Sequence, residues 1–188
     1  MKKYGFFLVF VLFYSNCFSL FAENIDESLS RQIRENFNSP FMDKTMKGFT
    51  ELGSYEATSV ILIGMYTFGN DKLRNTTKLS TFSVIGAVSV CSLLKWAVNR
   101  ERPCGNTSRF NSSFPSGHAT GAFAFSYIIA KQYPKLTIPL YLTAATIAFS
   151  RVYLGKHYVT DVLAGSALGT ASGWVVMKNN DTLLRITF

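Results

Sequence analysis

Long apolar stretches separated by short polar hinges dominate the chain from residue 57 onward. Five of these stretches contain no charged residue: Ala57–Asn70, Leu79–Leu94, Ala119–Ala130, Leu136–Ser150 and Val162–Met177. They are long for strands, lack the alternation of apolar and polar positions that a half-buried strand shows, and are rich in Gly, Ala and Ser. The pattern predicts an all-α protein built as a helical bundle.

The segment before these stretches is more polar, but its apolar residues are regularly spaced. Every fourth position from residue 25 to residue 37 is apolar: Ile25, Leu29, Ile33 and Phe37. This spacing predicts one face of a helix, which Pro40 then interrupts. We expect one or two amphipathic helices that lie against a membrane or against the helical core.

The first residues have the pattern of a secretory signal, because a basic start is followed by an uncharged run from Tyr4 to Ala22. Leu20 departs from the small-residue rule for cleavage after this run. Residues 1–22 are therefore interpreted as a signal peptide or as a retained N-terminal membrane anchor. Cys17 is an alternative site of lipid attachment. Residues 23–188 are expected to form a single domain.

The charge-free stretches run from 12 to 16 residues, whereas a spanning helix needs roughly 17 to 25 apolar residues. Charged residues at their ends have long side chains that reach the membrane interface, so the helices can extend beyond the charge-free counts. We expect an integral membrane bundle with five or six spanning helices and an N-terminal amphipathic segment. A soluble exported bundle is the alternative.

The net charge and the cysteines limit the kinds of binding partner and metal site that the chain is expected to have. The formal net charge of +8 suits an anionic membrane surface or an anionic substrate, and no basic run is interleaved with aromatic residues as nucleic-acid binding favours. Cys91 and Cys104 lie too far apart along one helix for a disulfide, so both are expected to be free thiols. No Cys-x-x-Cys or paired-His motif occurs, and we expect no metal, no cofactor and no nucleic acid partner.

Three short segments concentrate the chemistry of the chain. Residues 95–103 read K-x6-R-P, residues 115–118 read P-S-G-H, and residues 150–161 read S-R-x5-H-x3-D. They contain three motif cations, one motif carboxylate and both histidines of the chain. This combination suits a site that binds phosphate and transfers it.

In the first segment, Lys95 and Arg102 are seven residues apart. This separation is about two helical turns, so on a helix both cations would project from nearly the same face. Pro103 moves Arg102 out of helical geometry and is expected to end the helix. A solvated basic cap on a helix is the alternative interpretation.

In the second segment, Ser116 is a natural N-cap for the helix predicted from residue 119. A helix N-terminus binds anions through its free N–H groups, and Gly117 lets the backbone approach a phosphate closely. His118 would then lie beside that anion. The alternative is a capping sequence with no catalytic role.

In the third segment, His157 and Asp161 are four residues apart. On a helix, this spacing lets the carboxylate accept a hydrogen bond from one ring nitrogen while the other nitrogen faces the pocket. Arg151 can bind phosphate oxygens with its planar fork of donors. The alternative is a structural His–Asp pair in a turn at the membrane interface.

Together the three segments resemble the tripartite signature of the type 2 phosphatidic acid phosphatase superfamily, which also includes bacterial acid phosphatases and vanadium haloperoxidases. Every signature position is occupied, and the resemblance extends from about Ala57 to Met177. It implies a helical bundle and a metal-free phosphatase in which His157 forms a phosphohistidine. Asp161 would orient His157, and His118 would protonate the leaving oxygen. The residues implied in phosphate binding are Lys95, Arg102, Ser116, Gly117 and Arg151.

The expected function is hydrolysis of a lipid-linked phosphate or pyrophosphate at the outer face of the inner membrane, with the active site facing the periplasm or exterior. The expected substrate is a phospholipid, lipid A or a polyprenyl phosphate, and activity should depend on pH as a bell-shaped curve. Three alternatives stay open. They are a soluble exported acid phosphatase of broad specificity, a vanadate-dependent haloperoxidase, and a membrane scaffold whose polar cluster only caps helices.

Overall fold

The computed structural model describes residues 25–37, 39–105 and 108–185, and within these ranges the chain forms helices and no strands. The helices are α1 (25–36), α2 (Pro40–Leu52), α3 (Tyr55–Phe68), α4 (Asp71–Val98), α5 (Gly117–Gln132), α6 (Thr137–Tyr153), α7 (Val159–Lys178) and α8 (Asn180–Leu184). Single 3-10 turns lie at Arg109–Asn111 and Pro134–Leu136. The prediction of an all-helical protein is confirmed. The predicted signal peptide or anchor lies outside the described residues.

Polar side chains define where three of the helices begin. Ser39, Ser54 and Asn70 precede α2, α3 and α4, and each accepts a hydrogen bond from the backbone N–H three residues later, at 3.2, 3.1 and 3.0 Å. These bonds satisfy N–H groups that have no partner inside the helix. Pro40 is the first residue of α2, where the missing N–H of proline costs nothing.

The polar segment that follows Asn70 is helical and is not the hinge that its composition predicted. It forms the first two turns of α4, which reaches 28 residues. The hydroxyls of Thr76 and Thr77 each donate to the backbone carbonyl four residues earlier, at 2.8 Å. Because the threonines satisfy their hydroxyls within the helix, a polar composition does not interrupt α4 here.

The helices α3 to α7 run alternately up and down, and α5 and α7 make the most extensive contact of the bundle. Gly165, Gly169 and Gly173 are spaced by four residues along the buried face of α7. A Cβ atom at Gly169 would lie 2.2 Å from the carbonyl oxygen of Thr120 on α5. The frequent small residues of the apolar stretches therefore allow these helix backbones to approach closely.

Large apolar side chains are concentrated on the outside of the bundle and small or hydroxylated ones inside it. Examples of exposed residues on α3, α4, α6 and α7 are Ile63, Phe68, Ile85, Leu93, Ile138, Leu142, Leu163 and Trp174. The buried residues include many alanines, serines and threonines. Within the described ranges, α4 is the single helix whose length and composition by themselves suffice to cross a membrane.

Helix α1 leaves most of its apolar face outside the helical core, so of the two expected positions of this face, against a membrane or against the core, packing on the core is seen only at Ile33. Ile25 and Leu29 are exposed, while Asp26 and Ser30 are buried. Ile33 packs against a core cluster formed by α5, α6 and α7. The helix itself is as predicted, but polar contacts rather than the apolar periodicity decide which side turns inward.

Candidate active site

The residues of all three sequence motifs lie at one end of the bundle. Lys95 is in the last turn of α4, Arg151 is in the last turn of α6, and α5 and α7 begin at this end with Gly117 and Val159. His118, in the first turn of α5, lies close enough to Arg151, His157, Arg102 and Lys95 for their charges to act on its ring. The alternating helices thus bring together residues that are up to 66 positions apart in the sequence, from 95 to 161.

His157 lies in the turn between α6 and α7 and is 1% exposed. Its Nδ1 is 2.7 Å from the carbonyl oxygen of Ser113. A carbonyl can only accept a hydrogen bond, so Nδ1 carries the proton and Nε2 keeps its lone pair. Burial lowers the pKa of His157 to about 4, so the ring is neutral at pH 7.

Asp161 does not contact His157 in the way that their spacing predicted. Its Oδ2 is 3.7 Å from His157 Nδ1, which is beyond a normal hydrogen bond. The two residues do not share a helix, because α7 begins at Val159 and the turn before it passes through Gly155 at φ 65°. The nearer partner of the ring is therefore the Ser113 carbonyl.

Ser113 nevertheless connects the histidine to the carboxylate. Its hydroxyl donates to Asp161 Oδ2 at 2.5 Å, while its carbonyl accepts from His157. Asp161 is fully buried and also accepts from the backbone N–H of Tyr158 at 2.8 Å and from Arg100 Nη1 at 2.8 Å. Asp161 can thus orient His157 through Ser113, a residue that the sequence motifs do not include.

Lys95 and Arg102 meet through a loop and not along one helical face. Helix α4 ends at Val98, and Asn99 adopts a left-handed conformation with φ 50°. Lys95 Nζ donates to the carbonyl of Ser112 at 2.5 Å, and Arg102 Nε donates to the carbonyl of Asn111 at 2.9 Å. Adjacent carbonyls of this loop therefore bring the two cations to the same region, although Pro103 does not mark the helix end.

Three buried donors have no hydrogen-bond partner within the described residues: Nε of Arg151, Oγ of Ser116 and Nη1 of Arg34. The first two belong to the motifs, whereas Arg34 is on α1, beside Gly155. Arg151 places its Nη1 3.0 Å from the hydroxyl of Thr50. Ser116 occupies the predicted N-cap position of α5, yet its side chain makes no capping hydrogen bond. Buried donors of this kind are costly unless an acceptor is bound, and an anion supplies such an acceptor.

Gly117 has a packing role besides the predicted approach to phosphate. A Cβ atom at Gly117 would lie 2.2 Å from the hydroxyl oxygen of Tyr55, so a larger residue would displace this tyrosine. The Tyr55 ring lies 6.2 Å from the His118 ring, centroid to centroid. Tyr55 and Thr50 belong to α3 and α2, far from the motifs in sequence, and no sequence signal singled them out.

Cys91 is buried and Cys104 is exposed, and both are free thiols as predicted. In the part of the chain that the structure describes, no group of three or more His, Cys, Asp or Glu side chains is arranged to hold a metal ion. The donors that converge here are instead lysine, arginine and serine. These groups bind the oxygens of an anion.

Residues 78–185 match the PAP2 superfamily, which is more than half of the chain. The chain belongs to this superfamily and is a phosphatase, as the resemblance of its three motifs implied. It is 29% identical to phosphatidylglycerophosphatase B of Bacillus subtilis over 217 aligned positions, covering 98% of this chain and 97% of that protein. It is 28% identical to undecaprenyl-diphosphatase BcrC of Bacillus subtilis, covering 76% of this chain and 77% of that protein.

The fold agrees with a solved structure from the same superfamily. The transmembrane PAP2 type phosphatidylglycerolphosphate phosphatase from Bacillus subtilis superposes with a TM-score of 0.74 at 25% sequence identity. The alignment covers 99% of each chain. The helical bundle is therefore similar to that structure over essentially its whole length.

Proposed function

We propose that the protein is a metal-independent phosphatase that removes phosphate from a lipid-linked phosphate or pyrophosphate through a phosphohistidine intermediate. The observation that carries the proposal is the setting of His157. Its Nδ1 donates to a carbonyl, which leaves the Nε2 lone pair free, and the charges of Lys95, Arg151 and Arg102 act on its ring. This is the arrangement that in-line attack on phosphorus requires.

In the first step, the Nε2 lone pair of His157 forms a bond to phosphorus while the bond from phosphorus to the leaving oxygen breaks. His118 donates a proton to that oxygen as general acid, and the negative charge of the bound phosphate favours the protonated ring that this step needs. The positive charge that develops on the His157 ring is stabilised by the Ser113 carbonyl and by Asp161 behind it. A water molecule then attacks phosphorus, with His118 accepting its proton, and His157 is released.

The phosphate oxygens are bound by Arg151, Lys95 and Arg102, together with Ser116 and the backbone at Gly117. Arg151 Nε and Ser116 Oγ offer hydrogen bonds that no described protein group accepts. Lys95 is 8% exposed, so its charge acts through a medium of low dielectric and is screened less than a surface charge. Cationic donors in such a setting stabilise the charge that develops during phosphoryl transfer.

The location follows from the outer surface of the bundle. Exposed apolar side chains on α3, α4, α6 and α7 would face water in a soluble protein, and a patch of this extent is characteristic of a membrane or interaction surface. We propose that these helices and α5 cross the inner membrane, with α1 and α2 at its surface. The catalytic end would then face the periplasm or exterior.

An apolar cavity supports a substrate with a lipid tail. It has a volume of about 280 Å3 and is lined by α2, α3, α5 and α6, with Leu52, Ile61, Phe125, Leu140 and Ile147 among its residues. Ile147 lies one helical turn before Arg151 on α6. A substrate whose phosphate is bound by Arg151 would therefore find an apolar surface for its chain beside the phosphate site.

The test is a phosphate-release assay of the full chain in detergent with four lipids: phosphatidylglycerophosphate, undecaprenyl pyrophosphate, lipid A phosphate and phosphatidate. Phosphatidylglycerophosphate is the first choice, because a relative that aligns with 98% of this chain is named phosphatidylglycerophosphatase B. We expect release from at least one lipid, and none with His157→Ala. Lys156→Ala is the matched control, since Lys156 is the exposed neighbour of His157.

Two outcomes would contradict the proposal. Unchanged turnover by His157→Ala would show that His157 is not the nucleophile, provided that the variant is folded and membrane-bound like the parent. Efficient hydrolysis of small water-soluble esters with no release from any lipid, together with recovery of the protein without detergent, would favour a soluble exported acid phosphatase.

A further inference from the structure

Arg100 lies within the first motif segment but not at one of its signature positions. Its Nη1 donates to Asp161 Oδ1 at 2.8 Å, and its Nη2 donates to Asp26 Oδ2 at 2.9 Å. The two carboxylates are 0% and 3% exposed. One guanidinium group therefore bridges a buried carboxylate on α1 and a buried carboxylate on α7.

The backbone of Arg100 is also hydrogen-bonded to Ser113, the residue that links His157 to Asp161. Its carbonyl oxygen accepts a hydrogen bond from the N–H of Ser113 at 2.8 Å. Ser113 in turn accepts from His157 Nδ1 through its carbonyl and donates to Asp161 through its hydroxyl. Arg100 thus holds both ends of the link between His157 and Asp161.

Helix α1 completes this arrangement by capping α7 from outside. The N–H of Val159 donates to Ser30 Oγ at 3.1 Å, and the N–H of Thr160 donates to Asp26 Oδ1 at 3.1 Å. The first N–H groups of a helix have no acceptor within the helix, and the side chain of the residue just before the helix normally supplies an acceptor. Here α1 supplies two of these acceptors, more than 120 residues away in sequence.

We propose that α1 is part of the active site and that Arg100 and Asp26 are positioning residues for the nucleophile. This inference rests on the proposed function, since it assigns His157 the role of nucleophile. Asp26 and Ser30 hold the first turn of α7, and Arg100 holds Asp161 and Ser113. Neither Arg100 nor Asp26 needs to contact the substrate for this role.

The charges around His157 decide what the loss of Arg100 would do. Those that act on it are Lys95 on α4, Arg102 after α4, Arg151 on α6 and Asp161 on α7, with His118 on α5 nearby. Arg100 acts on it through Asp161, and Asp26 on α1 lies on the other side of Arg100. Arg100 partly neutralises Asp161. Without it, the negative charge of Asp161 acts more strongly on His157 and favours the protonated ring.

The experiment compares Arg100→Gln and Asp26→Asn with two exposed substitutions on the same helix α1, Glu27→Gln and Arg31→Gln. The full chain is measured in detergent for kcat, KM, pH profile and melting temperature. We expect Arg100→Gln to lower kcat by about 10- to 100-fold, the size of effect that the loss of a hydrogen-bond partner of a metal ligand has at metal sites. KM should be unchanged, and the acid limb of the pH profile should move to higher pH.

Asp26→Asn should act in the same direction with a smaller effect, because the backbone contacts of Arg100 remain. The double variant should be no slower than Arg100→Gln alone, since both residues act through one network. Glu27→Gln and Arg31→Gln should match the parent. If Arg100→Gln does not fold, Asp26→Asn and Ser30→Ala carry the same comparison.

The inference is wrong if Arg100→Gln and Asp26→Asn lower only the melting temperature and keep the parental kcat and acid limb. That result would make α1 a structural support alone. The outcome of His157→Ala separates this failure from a failure of the proposed function. An inactive His157→Ala protein with fully active Arg100 and Asp26 variants overturns only the positioning role.

Discussion

At the scale of single residues, Arg151 shows how a buried charge is prepared for a ligand. Its side chain is 8% exposed and has one hydrogen bond, from Nη1 to Thr50, while Nε has no described acceptor. Burial of a charged group without full compensation is costly. A dianionic phosphate would supply both the opposite charge and the missing acceptor.

Arg151→Lys should therefore lower kcat/KM by about 100-fold, the size of effect seen when one preorganised donor is removed. Lysine keeps the charge but lacks the planar fork that binds two oxygens and reaches Thr50. Phosphate release from the best lipid of the panel is the measurement. Arg109→Lys, an exposed arginine, serves as the control and should leave the rate unchanged. Equal rates for Arg151→Lys and the parent would exclude bidentate binding by this residue.

The pH dependence of the rate should reflect the burial of His157. Burial lowers the pKa of His157 to about 4, so the nucleophile stays unprotonated at all pH values above that. In a profile of kcat/KM, which reports the free enzyme, the acid limb that His157 sets should therefore lie near pH 4. An acid limb near 6.5, the value of an unperturbed histidine, would contradict this environment for the ring.

The sequence predicted the site through its motifs but could not predict the residues that support it. Lys95, His118, Arg151 and His157 all lie at one end of the bundle, as their motifs suggested. The hydrogen bond from His157 to Ser113 depends on the path of a loop, and local spacing contains no information about that path. A spacing of four residues predicted the His–Asp contact only on the assumption of a shared helix.

At the scale of helices, the contact between α5 and α7 helps to determine where His157, the proposed nucleophile, lies. Gly169→Ala should place a methyl group 2.2 Å from the Thr120 carbonyl and force the two helices apart. Overpacking of this kind costs roughly 1–3 kcal/mol, so both the melting temperature in detergent and kcat should fall. The rate should fall because α7 begins with the turn that contains Asp161.

Gly64→Ala is the matched control on α3. A Cβ atom at Gly64 has nothing within 4 Å, and alanine favours a helix over glycine. The variant should be at least as stable as the parent and equally active. A Gly169→Ala protein that behaved like Gly64→Ala would show that α5 and α7 tolerate a larger separation than the structure has.

Helix existence was easier to predict than helix ends or the buried side of a helix. Charge-free apolar stretches identified α3 to α7, but α4 starts eight residues before its stretch and ends before Arg102. The side chain of Asn70 caps the start of α4, and Asn99, in a left-handed conformation, follows its end. For α1, the apolar spacing indicated a helix, whereas Asp26 and Ser30 turn inward because α7 and Arg100 offer them partners.

At the scale of the whole molecule, the motif residues are gathered at one end, while large apolar side chains cover the outside of the bundle. The two ends of the bundle are therefore chemically different. All the motif residues lie at the end where α4 and α6 finish and α5 and α7 begin. In a membrane, the side on which this end lies decides which pool of phosphorylated lipids the enzyme can reach.

The two thiols of the described region allow this orientation to be measured. Cys104 is exposed in the segment between α4 and α5, at the end of the bundle that contains the motif residues, whereas Cys91 is buried. A membrane-impermeant maleimide added to intact spheroplasts should therefore label the Cys17→Ser protein, and adding Cys104→Ser should remove that label, because a buried thiol does not react. Activity of the Cys104→Ser protein serves as the check on folding. Labelling of Cys104 that appears only after the membrane is permeabilised would place the catalytic end in the cytoplasm and contradict the proposed orientation.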